Sequence, residues 1–133
     1  FTWFLVDLPG YGYAKRSKTS RDAWSKFTAE YIAESPRLRL VCQLIDSRHS
    51  PMAVDKEAYA WLEQCDVPLQ VIATKTDKLS RNELQKNMAA LRRELSPAAP
   101  IIAYSSVSNA GRDDLLKIIE HELLGKGGAK APC

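Results

Sequence analysis

The pattern of apolar and polar positions changes period repeatedly along the chain. Thr2-Trp3-Phe4-Leu5-Val6-Asp7 is a run of aromatic and branched side chains, the form of a buried strand. Residues 8–18 hold Pro9, Gly10 and Gly12 and read as a loop. Over 19–34, Trp24, Phe27, Tyr31 and Ile32 recur at helical spacing, and Pro36 ends that helix. A second strand is expected over 38–46. A helix over about 53–65 then carries Ala58, Trp61, Leu62 and Cys65 on one face. Residues 69–74 form a third strand. Ser80-Arg81-Asn82-Glu83 has the capping-box form and opens a helix that runs to about Leu95. A fourth strand over 101–105 and a last helix over 112–124 follow. From Gly125 the chain reads as a flexible tail, so the folded unit is expected to be 1–124 and the tail 125–133. Strands alternating with helices imply parallel pairing through right-handed crossovers, giving an α/β fold: a mostly parallel sheet with helices on both faces.

Composition narrows the class. The chain has 133 residues, 45% hydrophobic and 26% charged, which is globular and excludes disorder and collagen-like repeats. No apolar run approaches ~18 residues, so no membrane-spanning helix is expected. The N-terminus lacks the basic flank and small-residue cleavage site of a signal peptide. Net charge is +3. The excess is local: in 11–26, Lys15, Arg16, Lys18, Arg21 and Lys26 face Asp22 alone. Such a patch suits an anionic partner such as RNA, or is simply a solvated face. Cys42, Cys65 and Cys133 lack CxxC or Cys/His spacing, which fits free thiols in a reducing, cytoplasmic setting.

In parallel sheets, ligands bind beyond the carboxyl ends of the strands. The first strand is expected to end in Asp7-Leu8-Pro9-Gly10. A carboxylate there can hold the water shell of Mg²⁺, and glycine lets a backbone N–H approach a phosphate. The same residues also serve in ordinary turns. The third strand ends in Thr74-Lys75-Thr76-Asp77, which resembles the Asn/Thr-Lys-x-Asp motif of GTPases. In that motif the aspartate accepts two hydrogen bonds from guanine and the lysine stem lies over the base plane. Adenine cannot offer that donor pair. The fourth strand ends in Ser105-Ser106-Val107-Ser108-Asn109-Ala110-Gly111, similar to the GTPase loop that sets a backbone N–H on guanine O6. Each motif alone has an ordinary turn reading. Three in this order, each at a strand's end, point to a nucleotide site.

Asp7-Leu8-Pro9-Gly10-Tyr11-Gly12-Tyr13-Ala14 is more specific still. With Asp46-Ser47-Arg48-His49-Ser50-Pro51 and Thr74-Lys75-Thr76-Asp77-Lys78-Leu79, it resembles the signatures of the EngB/YihA/YsxC family of bacterial GTPases. The likeness runs from residue 1 to about 124. It implies a Ras-like, P-loop NTPase G domain of the translation-factor class, binding GTP or GDP with Mg²⁺. It further implies a monomeric cytoplasmic switch acting in large-subunit ribosome assembly and linked to cell division and septation. On this resemblance Asp7 contacts Mg²⁺ through water, and Pro9 and Gly10 lie on the phosphate side. Thr74, Lys75 and Asp77 hold guanine, and Ser105, Ser106 and Val107 form the O6 loop. Gly10 and Tyr11 open switch II. Tyr11 stands where Ras-like proteins have a water-orienting glutamine, so slow intrinsic hydrolysis is expected. Lys15, Arg16, Lys18 and Arg21 are candidates for docking on ribosomal RNA. Arg48 and His49 either sense switch II or form a surface turn.

No G-x-x-x-x-G-K-[ST] occurs in these residues. That loop supplies the phosphate cradle and a Mg²⁺ ligand. The expectation is therefore an N-terminally incomplete G domain, inactive alone, with its first strand and switch I upstream of Phe1. The alternative is a non-enzymatic α/β interaction module that has lost phosphate binding.

Overall fold

A computed structural model describes residues 2–8, 10 and 18–125, with side chains in the first helix described from residue 26 onward. The order is α1 (Lys18–Glu34), β1 (Val41–Asp46), α2 (Ala53–Gln64), β2 (Leu69–Thr74), a 3₁₀ turn (Thr76–Lys78), α3 (Arg81–Leu95), β3 (Ile102–Ala103) and α4 (Arg112–Leu124). The three strands form one sheet in the order β1-β2-β3, both pairings parallel, with Asp46 beside Thr74 and Ile72 beside Ile102. Their C-terminal ends thus lie side by side.

The pleat sorts the core. Ile45, Val71 and Ala73 turn to one face and pack against Tyr59 of α2 and Met88, Leu91 and Leu95 of α3. A second cluster joins Ile32 of α1 to Leu62, Cys65 and Val67, with Leu8 packed against it. Ile72 and Ile102, on the opposite face, are buried as well, and α4 supplies the half-buried row Leu115, Ile118 and Ile119. That cover stops short of β1, where Cys42 is exposed and Leu44 is 60% exposed.

The boundaries of β2, α3 and α4 are as the sequence predicts. The expected strand over 2–7 does not form: these residues carry no regular structure, and Phe4 and Leu5 are each 83% exposed. A strand needs a partner for its N–H and C=O groups, and among the described residues no strand lies alongside it. The second and fourth strands form but are shorter than expected, β1 starting at Val41 and β3 comprising Ile102–Ala103. Among the described side chains of α1, Thr28 and Ile32 are buried, whereas Phe27 is 57% exposed. The expected tail, beyond Gly125, lies outside the described residues.

Candidate functional site

The three strand ends carry two connected clusters. The first joins the loops after β2 and β3. Tyr104 N–H donates to Ala73 O at 2.8 Å, and Thr76 N–H to Tyr104 O at 3.3 Å, so the loops cross where the sheet ends. Ser105, fully buried, donates its hydroxyl to Asp77 Oδ1 at 2.8 Å. The same Oγ accepts the N–H groups of Val107 at 3.2 Å and Ser108 at 3.1 Å. Its hydrogen-bonding capacity is filled, which removes the cost of burying a hydroxyl. Asp77 stays exposed with one oxygen pinned, so its carboxylate is aimed outward.

The sequence folds this way for local reasons. Lys75 takes the left-handed conformation, φ 61°, which reverses the chain between β2 and the 3₁₀ turn. Asn109 and Gly111 are left-handed too, and they close the 105–110 loop on itself through Ser105 N–H to Ala110 O at 3.0 Å. At Gly111 a Cβ would meet Ala103 O at 2.1 Å, so only glycine fits. Within the loop the N–H groups of Ser105, Val107 and Ser108 are occupied internally. That of Ser106 has no acceptor among the described residues.

The second cluster lies across β1 and β2. Asp46 accepts Arg48 Nη2 at 2.8 Å, Arg48 Nε at 3.1 and 3.2 Å, and the Arg48 backbone N–H at 3.0 Å. Lys75 Nζ stands 3.3 Å from Asp46 Oδ2. The Arg48 guanidinium, with Lys75 beside it, holds the Asp46 carboxyl well below the usual carboxylate range. The strand ends are tied by Thr74 Oγ1 donating to Ile45 O at 3.3 Å and Ser47 N–H to Thr74 O at 3.0 Å. Asn87 Nδ2 of α3 donates to Ser47 O at 2.8 Å.

The structure therefore brings Thr74, Lys75, Asp77, Ser105, Ser106 and Val107 to one end of the sheet. Arg48 faces Asp46. Asp7 and Gly10 are exposed, and around Gly10 a Cβ would have open space. Pro9, Tyr11, Lys15 and Arg16 lie outside the described residues; Lys18 and Arg21 lie in α1, in the part whose side chains are not described. Sequence reasoning missed Asp46 as the partner of Lys75. The available signal was Asp46 at the end of the neighbouring strand. Among the described residues no cluster of three His, Cys, Asp or Glu side chains could hold a metal. Nor is any helix among them long and apolar enough to cross a membrane.

No family model matches the chain. It is 42% identical over 128 residues to the probable GTP-binding protein EngB of Desulforamulus reducens, covering 95% of this chain and 62% of that protein. The probable EngB proteins of Shouchella clausii and Streptococcus pneumoniae are 38% and 39% identical, each over 90% of this chain and 62% of their own length. The chain thus spans about three-fifths of the curated relatives it matches. A crystal structure of a probable GTP-binding protein EngB superposes with a TM-score of 0.74 at 18% identity, over 88% of this chain and 76% of that one. The apo translation elongation factor SelB of Methanococcus maripaludis gives 0.66 at 18% identity, over 92% of this chain and 25% of that one. Their fold is the α/β fold seen here. Along about nine-tenths of its length, this chain is a homologue of the GTP-binding proteins named EngB.

Proposed function

We propose that this chain is the guanine-recognising part of a GTP-binding and GTP-hydrolysing switch protein. The observation that carries the reading is the 2.8 Å bond from buried Ser105 to Asp77, which joins the two strand-end loops and aims a carboxylate outward. Asp77 accepts from the N1–H and 2-amino groups of guanine, and the Ser106 N–H, without an acceptor among the described residues, donates to O6. An acceptor pair on one edge and a donor on the other match guanine and mismatch adenine. The alkyl stem of Lys75 lies along the base, and Thr74 holds the turn in place.

The chain spans about three-fifths of the length of its EngB relatives. Asp7 is the one carboxylate here assigned to Mg²⁺. A single exposed carboxylate suits an outer-shell contact to a hydrated ion that is also held by nucleotide phosphates. The ion's contribution when bound is to offset phosphate charge. Pro9 and Gly10 lie on that side, and Gly10 and Tyr11 open the switch. The basic residues Lys15, Arg16, Lys18 and Arg21 dock on ribosomal RNA of the large subunit. On this reading the protein acts as a cytoplasmic monomer in ribosome assembly, with a link to cell division and septation.

Displacement of fluorescent GDP from the full-length protein tests the nucleotide reading. GTP is expected to compete and ATP to fail at comparable concentrations. Equal competition would overturn it.

A further inference from the structure

The Asp46 cluster has no part in the guanine edge contacts, yet it is built with care for geometry. Arg48 meets Asp46 through two side-chain nitrogens and its own backbone N–H, at 2.8–3.2 Å. A forked guanidinium–carboxylate contact fixes the plane of the carboxylate. Parallel pairing in register sets that carboxylate beside Thr74, one residue before Lys75. Lys75 leaves β2 at a positive φ and reaches back with Nζ 3.3 Å from Asp46 Oδ2. An unanchored lysine on an exposed turn samples many rotamers, and ordering it on binding carries an entropic cost. Here both ends of the side chain are held: the backbone by the turn, the ammonium by Asp46. The alkyl stem between them is a fixed apolar strip two residues from Asp77.

We propose that Asp46, oriented by Arg48, is a positioning residue that anchors the Lys75 ammonium so that its stem forms a preset platform for the face of a purine. This rests on the guanine reading above and deepens it. Asp77 and Ser106 read the edge of the base, and Asp46 governs how firmly its face is held, whatever its edge carries. The two contributions separate by nucleotide. Inosine diphosphate lacks the 2-amino group, so the ratio of GDP to IDP affinity reports edge reading alone, while a platform contributes equally to both.

The experiment measures GDP and IDP affinities of the full-length protein in four forms: wild type, Asp46→Asn, Lys75→Met and the double variant. Lys75→Met keeps a stem of similar length without the charge. Asp46→Asn is expected to weaken both nucleotides by the same factor, about three- to fivefold, as befits one well-formed exposed ion pair. The GDP/IDP ratio stays at its wild-type value. In the Lys75→Met background Asp46→Asn has no further effect. A loss that persists undiminished in that background would overturn the proposal, because Asp46 would then act on the fold rather than through Lys75. An unchanged affinity for Asp46→Asn, or a changed GDP/IDP ratio, would also overturn it. A wild-type protein that binds GDP no better than ADP would instead sink the guanine reading itself.

Discussion

Ser105 has no exposed surface, and its hydroxyl makes three hydrogen bonds: one donated to Asp77 and two accepted from Val107 and Ser108. Ser105→Ala keeps the volume nearly unchanged and leaves two N–H groups and a carboxylate oxygen without their partner. Those groups belong to exposed residues, so the cost is that of lost hydrogen bonds, about 1 kcal/mol. Loss of stability in urea unfolding and of GDP affinity by about tenfold are both expected, with Ser105→Thr retaining more of each. Gly111→Ala belongs to the same scale. Its Cβ would sit 2.1 Å from a backbone oxygen at φ 78°, so a loss of about 2–3 kcal/mol is expected in the same assay. The sequence shows the Ser105–Val107 motif, but not that the hydroxyl faces Asp77. The two are 28 positions apart, and only the β2–β3 pairing brings them together. Arg48, read as a switch sensor or a surface turn, lies in an exposed turn and bonds to Asp46. That contact is local, two residues along the chain; only the second cation on Asp46, Lys75, comes from the neighbouring strand's loop.

Helix ends and strand lengths respond differently to local sequence. The reciprocal cap of α3, Glu83 N–H to Ser80 Oγ at 3.2 Å and Ser80 N–H to Glu83 Oε2 at 2.9 Å, is written in four consecutive residues. Its backbone bond also holds the Glu83 carboxyl below its ordinary value. Ser80→Ala is expected to cost about 1 kcal/mol of stability, checked by chemical denaturation. Strands depend on neighbours. Residues 2–7 are as rich in strand-forming side chains as β2, yet only β2 is flanked on both edges. Periodicity tells which segments are able to pair; it is silent on whether a partner lies beside them. The Asp46–Arg48–Lys75 tie between strand ends makes a pH prediction at this scale. Asp46 has a folded pKa below that of the unfolded chain, ~3.9. Its stabilisation is therefore complete above that value and is lost as pH falls below it. The difference in urea midpoint between wild type and Asp46→Asn should hold constant from about pH 6 to about pH 5 and shrink as pH falls below ~3.9. A difference independent of pH would contradict the assignment.

At the scale of the whole molecule, the sheet is covered on one face and only partly on the other. Trp3, Phe4, Leu5 and Val6 are 42–83% exposed, and Leu44 on the outer side of β1 is 60% exposed. Apolar surface of that kind marks a site of association. The chain 1–133 on its own is expected to self-associate or bind a hydrophobic dye in light-scattering and fluorescence assays; a monomer that melts cooperatively would contradict this. The alternation of strands and helices made the α/β class legible, and the order of the strand-end motifs marked the end of the sheet where the candidate site lies. The central claim is that Asp77, held by Ser105, recognises guanine. Calorimetric titration of GDP into the full-length protein and its Asp77→Asn variant tests it most directly. A loss on the order of 10²-fold or more is predicted, because one acceptor of a paired contact becomes a donor. Equal affinities for the two proteins would contradict the account.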